Sequence, residues 1–314
     1  MQILITGGAG FIGSNLSKRL LETGHNVICI DNLNDYYSPR IKRENLEYNL
    51  KNKNFKFYRI DVENKEELRK VFGNIDVVIH LAARAGVRAS FKNPELYFNT
   101  NVIGTLNILD LCKEFNVKLI FGSSSSVYGK DKIPFSEKDP VEKQLSPYGT
   151  TKRIAERLCE MYFRLYGLNI IILRFFTVYG PRGRPDMAPY IFVKNILEGK
   201  KIKMFGPGDS KRDYTYVDDI LNGIIAATAR DFKFEIINLG NSKPIALKDF
   251  ISLIEKITGK KAKVEKLQEQ KGDMKVTYAD ISKAKRLLNF EPKVSVEEGM
   301  KRFIEWYNGD YSYS

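Results

Sequence analysis

A chain of 314 residues with 43% hydrophobic content exceeds the usual range of a single core and predicts two lobes. No apolar run approaches the roughly 20 residues a bilayer span needs, and the N-terminus has neither a basic start nor a long apolar stretch, so neither a membrane anchor nor a signal peptide is expected. The net charge of +13 is not gathered into one stripe: lysines and arginines alternate with glutamates in Lys65–Arg69 and Lys256–Lys266. This reads as a solvated surface, with no nucleic-acid partner and some attraction for anionic small molecules. Three scattered cysteines (Cys29, Cys112, Cys159) form neither a disulfide framework nor a metal cluster, and they predict buried thiols in a cytoplasmic protein without a metal.

The chain opens with the apolar run Gln2–Thr6, the turn Gly7-Gly-Ala-Gly-Phe-Ile-Gly13 and a helical pattern through Leu16, Leu20 and Leu21. A second apolar run, Asn26–Ile30, ends at Asp31. Strand, glycine turn, helix, strand and acid make a complete βαβ unit, in which Gly7, Gly10 and Gly13 let the backbone approach a pyrophosphate. The helix starting at Phe11 and Ile12 offers its first amides to that anion. Asp31 can accept hydrogen bonds from adenosine ribose hydroxyls and would repel a 2′-phosphate, so the cofactor expected is NAD.

Strands are expected at Phe55–Ile60, Ile75–Leu81, Lys118–Phe121 and Asn169–Arg174. Helices are expected at Asn64–Phe72, Asn93–Asn116 and Pro147–Gly167. These strands are apolar throughout rather than alternating, which predicts an α/β fold with a doubly wound parallel sheet covered on both faces. Asp61 and Val62 end one strand, where an adenine edge can be read. Leu81-Ala82-Ala83 and Ser123–Ser125 fall on the same carboxyl rim. Beyond Arg174 the chain turns rich in Gly, Pro and Arg. Arg174–Asp186 and Met204–Tyr214 read as loops, with helices at Met187–Glu198, Val217–Ala229, Ala246–Thr258 and Ser295–Tyr307 and a strand at Glu235–Leu239. The domain expectation is a nucleotide-binding Rossmann domain over residues 1–174 with a return segment near 213–240. A smaller α/β substrate domain is expected over 175–212 and 241–314.

Only two histidines exist, His25 and His80, and neither has a triad-like context. A general base must therefore be a tyrosine, a lysine or a carboxylate. Tyr148-Gly-Thr-Thr-Lys152 places a phenol and an ammonium on one helix face, roughly 6 Å apart. The lysine charge favours the phenolate, and a small hydroxyl such as Ser124 can share the proton with a substrate alcohol.

The glycine turn, Asp31-Asn32, Asp61, Leu81-Ala-Ala83, Asn101-Val-Ile-Gly-Thr-Leu-Asn107, Ser123-Ser-Ser-Ser-Val-Tyr-Gly129, Ser146–Lys152, Arg174–Gly183 and Arg212–Asp218 together resemble the extended short-chain dehydrogenase/reductases. Within these, the chain is similar to the NAD-dependent nucleotide-sugar 4-epimerases. The resemblance implies a tightly bound NAD held by Gly7, Gly10, Phe11, Ile12, Gly13, Asp31, Asn32, Asp61, Val62, Leu81, Ala82, Ala83 and Asn101 together with Tyr148 and Lys152. It also implies a Ser124–Tyr148–Lys152 triad and a homodimer through the two long helices ending near Asn116 and Gly167.

Related dehydratases carry an Asp-Glu pair after the catalytic hydroxyl residue, and related decarboxylases carry a glutamate nearby. Here those positions are Ser125 and Ser126, which argues for epimerisation. Asp31–Tyr37, Ala85–Arg88 and Arg174–Asp186 resemble the epimerases that act on UDP-glucuronate. Thr177, Arg184, Arg88 and Ser125 are the candidates to hold a C6 carboxylate, with Ser124 and Tyr148 at the reacting hydroxyl. Arg212, on the Lys-Arg-Asp-Tyr loop, is the candidate diphosphate ligand, and the family position that reads the uridine ribose falls on Asp273. A 4-epimerase for UDP-glucose or UDP-N-acetylglucosamine is the alternative, and a non-catalytic fold relative the remote one.

Overall fold

The computed structural model describes residues 1–129, 132–268 and 274–309. Seven strands build the main sheet: β1 (Gln2–Thr6), β2 (Asn26–Ile30), β3 (Phe55–Tyr58), β4 (Val77–His80), β5 (Lys118–Ser124), β6 (Ile170–Phe175) and β7 (Phe234–Leu239). Their order is β7-β6-β5-β4-β1-β2-β3, and every pairing is parallel. The doubly wound sheet expected from the sequence is therefore present. The order reverses between β1 and β4, and such a switch point opens a crevice at the carboxyl ends of the strands.

The strands are apolar on both sides because each side faces its own core. Ile3, Ile5, Val27, Cys29, Ile79 and Ile120 point into one, with Leu16 and Leu20 of the first helix. Leu4, Ile28, Ile30, Val78, Leu119 and Phe121 point into the other, with Ile108, Leu109, Cys112, Ala155 and Cys159. All three cysteines are free and buried. His80 ends β4 between Thr6 Oγ1 (2.6 Å) and Thr105 Oγ1 (3.1 Å). Burial, with the Lys152 charge behind it, brings its pKa down to about 3, so it ties the first strand to a helix as a neutral ring.

Several elements depart from the sequence expectation. A helix at Pro39–Leu50 was not anticipated, because its buried face is Lys42, Asn45, Leu46 and Asn49 rather than an apolar stripe. Its amides are tethers: Asn45 Nδ2 donates to Ala9 O at 3.0 Å and Asn49 Nδ2 to Ser14 O at 3.1 Å, which fixes the glycine turn from behind. The expected single helix over 93–116 is Pro94–Phe98 and Gly104–Glu114 joined by a π-turn at Asn99–Ile103. The two expected loops carry short strands. Thr177–Tyr179 pairs with Tyr214–Tyr216, Lys201–Phe205 with Lys263–Leu267, and Lys211–Arg212 lies between Ile245–Ala246 and Val276–Thr277. A helix at Ser282–Leu288 was also missed, being only two turns long.

Candidate active site

One cleft of about 1620 Å³ runs along the carboxyl rim and reaches from the glycine turn to the short strands of the C-terminal half. Its floor begins where β1 ends. Gly7 turns the chain at φ +70, and a Cβ there would lie 2.7 Å from the Ala82 amide. A Cβ at Gly13 would overlap the Gly7 carbonyl, so the helix Phe11–Glu22 can sit this close to the turn only because glycine occupies both places. That helix starts at Gly10 with no side-chain cap. Gly10, Phe11, Ile12 and Gly13 line the cleft, leaving the first-turn amides for an anion.

Asp31 is buried at the end of β2. Its carboxylate accepts from the amides of Leu33 (2.8 Å) and Ala9 (3.1 Å). Burial raises its pKa, and the Lys42 charge and the two amides pull it back. Asn32 lines the cleft and donates to Asp61 Oδ2 at 2.7 Å. Asp61 stands behind the wall, whereas Val62, Leu81, Ala82 and Ala83 face it. Asn101 is also behind the wall, in the π-turn. Its Oδ1 accepts from the Arg84 amide at 2.8 Å, and its Nδ2 donates to Arg84 O and Thr151 Oγ1, each at 3.0 Å. A sequence-predicted ligand thus joins the loop after β4 to the helix that bears Tyr148 and Lys152.

That helix, Pro147–Tyr166, begins with Pro at its first position and Ser146 as cap, accepting from Gly149 N at 3.0 Å. Gly149 packs so tightly on the serine segment that a Cβ would overlap Ser126 O. This brings Tyr148 to Ser124, the last residue of β5, close enough for the serine hydroxyl to act on the phenol, while Ser124 Oγ itself donates to Ser126 Oγ at 3.2 Å. Burial raises the phenol above its ordinary value, and Ser124 and the Arg184 charge oppose the rise. Lys152, one turn along the same helix, directs its ammonium to Gly122 O at 2.7 Å, above the Phe121 ring. Desolvation lowers Lys152 to about 8. Beneath it, Glu156 takes Arg174 through two 2.8 Å bonds and Ser123 Oγ at 2.7 Å, a buried pair that pins β5, β6 and the helix together.

The remaining candidates within the described residues also line this cleft. Thr177, Ser125, Arg88 and Arg212 all face the cleft. Arg88 lies 4.5 Å from the Phe205 ring centre, and Arg212 Nη1 donates to Lys211 O at 2.9 Å. Arg184 also faces the cleft, but as half of an ion pair with Asp186 at 2.6 Å. Asp273 lies outside the described residues. Sequence reasoning missed Tyr36, Lys42 and Asp186, all of which line the cleft. Tyr36 and Asp186 stood in motifs already singled out, while Lys42 sat in an unrecognised helix.

Residues 3–240 match the model of the NAD dependent epimerase/dehydratase family. Over 307 residues the chain is 51% identical to a UDP-glucuronate 4-epimerase of Thermodesulfobacterium geofontis, covering 96% of this chain and 95% of that one. It superposes with a TM-score of 0.95 and 41% identity on the UDP-glucuronic acid 4-epimerase of Bacillus cereus in complex with UDP-glucuronic acid and NAD, covering 99% and 100% of the two chains. A UDP-glucose 4-epimerase of Thermotoga maritima with UDP-glucose is similar at a TM-score of 0.89 and 35% identity, over 98% and 99%.

Proposed function

Since the chain belongs to the NAD dependent epimerase/dehydratase family, we propose that it inverts C4 of UDP-glucuronate to give UDP-galacturonate, with NAD as its resident cofactor. The observation that carries this reading is that Tyr148 and Ser124 line one cleft together with Thr177 and Arg184, whose charge reaches the phenol. The first pair moves a proton, and the second presents a donor and a guanidinium to a carboxylate. Positions 125 and 126 offer no acid that would turn the same start into an elimination.

The residues fit the cofactor. The glycine cradle that a Cβ would block, the uncapped helix and the Asp31 carboxylate suit its pyrophosphate and ribose. Bound NAD supplies a hydride acceptor and donor at the sugar carbon. Tyr148 takes the proton of the C4 hydroxyl as C4 is oxidised, and Ser124 shares it. The 4-keto sugar then turns over, and Tyr148 returns the proton to the oxygen on the new face, so there is no net redox change. Lys152 holds positive charge beneath the reacting groups while fixed to the Gly122 carbonyl. Arg212 is assigned to the diphosphate and Asp273 to the uridine ribose. Asp61 and Asn101 hold the cofactor wall from behind. Residues 1–174, with the return strand, form the nucleotide lobe in this reading, and the rest forms the sugar lobe. Two further assignments belong to it: a homodimer, and a cytoplasmic setting, which the free thiols support.

A second reading, epimerisation of UDP-glucose or its N-acetyl analogue, is favoured by one observation: Arg184 is already neutralised by Asp186. Incubation of the protein with each UDP-sugar separately, without added NAD, followed by chromatography, tests both. UDP-galacturonate from UDP-glucuronate is the expected product. A UDP-4-keto-pentose with NADH, or faster formation of UDP-galactose from UDP-glucose, overturns the first reading.

A further inference from the structure

The loop that follows Tyr179 sets two opposite charges side by side in the cleft. Arg184 donates from Nη2 to Asp186 Oδ2 at 2.6 Å and from Nε to Oδ1 at 3.0 Å. The side chains are 19% and 35% exposed, so the pair is held largely out of water. Tyr36 OH donates to the same Asp186 Oδ2 at 3.1 Å, and the guanidinium lies 5.4 Å from the Tyr36 ring centre. Space for that hydroxyl exists because residue 86 is glycine at φ +100, where a Cβ would stand 2.5 Å from the Tyr36 oxygen. Asp186 is thus held by Arg184 and Tyr36, with Gly86 leaving room for the tyrosine, and the Arg184 charge reaches the Tyr148 phenol.

A 4-epimerase must offer both faces of one sugar ring to a single hydride site, so each grip on a ring substituent has to break and reform in every turnover. An unopposed guanidinium in a low-dielectric cleft would hold a carboxylate through a bidentate fork too strongly for that. Asp186 occupies the Nε–Nη2 edge of the fork and cancels its charge. We propose that Asp186 is a specificity and turnover determinant: it masks Arg184, so that the substrate carboxylate is recognised here yet released while the keto sugar turns over. This rests on the UDP-glucuronate reading given above.

The test compares NAD-loaded wild type and Asp186→Asn. Dissociation constants are measured for UDP-glucuronate and UDP-glucose, and kcat and KM for UDP-glucuronate. Unmasking Arg184 is expected to tighten UDP-glucuronate binding roughly tenfold, the size of one charge-assisted contact, and to lower kcat by a similar factor. UDP-glucose affinity should stay within about twofold, since a neutral hydroxymethyl gains no ion pair. Asp186→Glu should restore the wild-type pattern, and Asp186→Ser should reproduce the asparagine one. The gain should vanish in an Arg184→Gln background. Weaker or unchanged UDP-glucuronate binding, equal shifts for both sugars, or a gain that survives without Arg184 would overturn the proposal. Wild-type enzyme that turned over only the neutral sugar would remove the underlying reading, and that result is visible before any variant is made.

Discussion

At the scale of single residues, the reacting groups are set by desolvation. Lys152 is buried, and its ammonium is brought down to about 8 from an ordinary lysine value of 10.5. Between those values the unfolded chain binds more protons than the folded one, so this group makes stability rise with pH through that window. Wild type should therefore gain stability relative to Lys152→Met as pH goes from 7 to 10. The difference in urea midpoints reads this, and a flat difference would contradict it. In the proposed mechanism Tyr148 carries the proton, so Tyr148→Phe should lower kcat by roughly 10²–10⁴ while the fold is kept, checked by circular dichroism beside turnover. These two residues and Ser124 were legible in the sequence, because one helical turn fixes the spacing of two groups whatever the rest of the fold does. Asp186 was not. An acid two residues after an arginine in a Gly/Pro-rich loop reads as a solvated charge, and only the convergence of Tyr36 and Gly86 shows its place.

At the scale of elements, the catalytic geometry depends on how close the start of Pro147–Tyr166 comes to the serine segment. Nothing larger than glycine fits at residue 149 against the Ser126 carbonyl. Gly149→Ala must push the first helical turn away from β5 and separate Tyr148 from Ser124. A displacement near 1 Å costs on the order of 100-fold in rate, so kcat should fall by about that much, with UDP-sugar affinity much less affected. Retained turnover would mean that the helix start relaxes freely. The sheet was readable because buried parallel strands are apolar runs at regular intervals. The helix Pro39–Leu50 was unreadable for the converse reason: Asn45 and Asn49 are buried as tethers to backbone carbonyls, and a polar inner face leaves no apolar period. The π-turn at Asn99–Ile103 is equally silent in an apolar pattern, yet it aims Asn101 at both Arg84 and Thr151.

At the scale of the molecule, the described helices include none long and apolar enough to cross a membrane, and several large apolar side chains are left exposed. Some of them lie at the ends of two packed helices. Met161, Leu165 and Tyr166 on Pro147–Tyr166 are exposed, at 65% for Leu165 and 53% for Tyr166, and Phe115 just beyond Gly104–Glu114 is exposed beside them. The two helices pack on each other and are clasped by Asp110, which takes the Tyr162 hydroxyl and Lys65 Nζ. A two-helix face of this kind suits a self-complementary contact, in which each copy buries the other's Leu165 and Tyr166. The homodimer proposed above would use this face. Met161→Glu combined with Leu165→Glu places two carboxylates in it and should convert a dimer to a monomer in sedimentation velocity. The consequence for catalysis follows from the fold: one of these helices carries Tyr148 and Lys152 in its first turns, and the other continues from the π-turn that holds Asn101. The monomeric variant should therefore lose thermal stability and turnover together, whereas the wild type should melt at a temperature that rises with protein concentration. A wild type that sediments as a monomer, or a variant that stays dimeric, would move the interface away from this face.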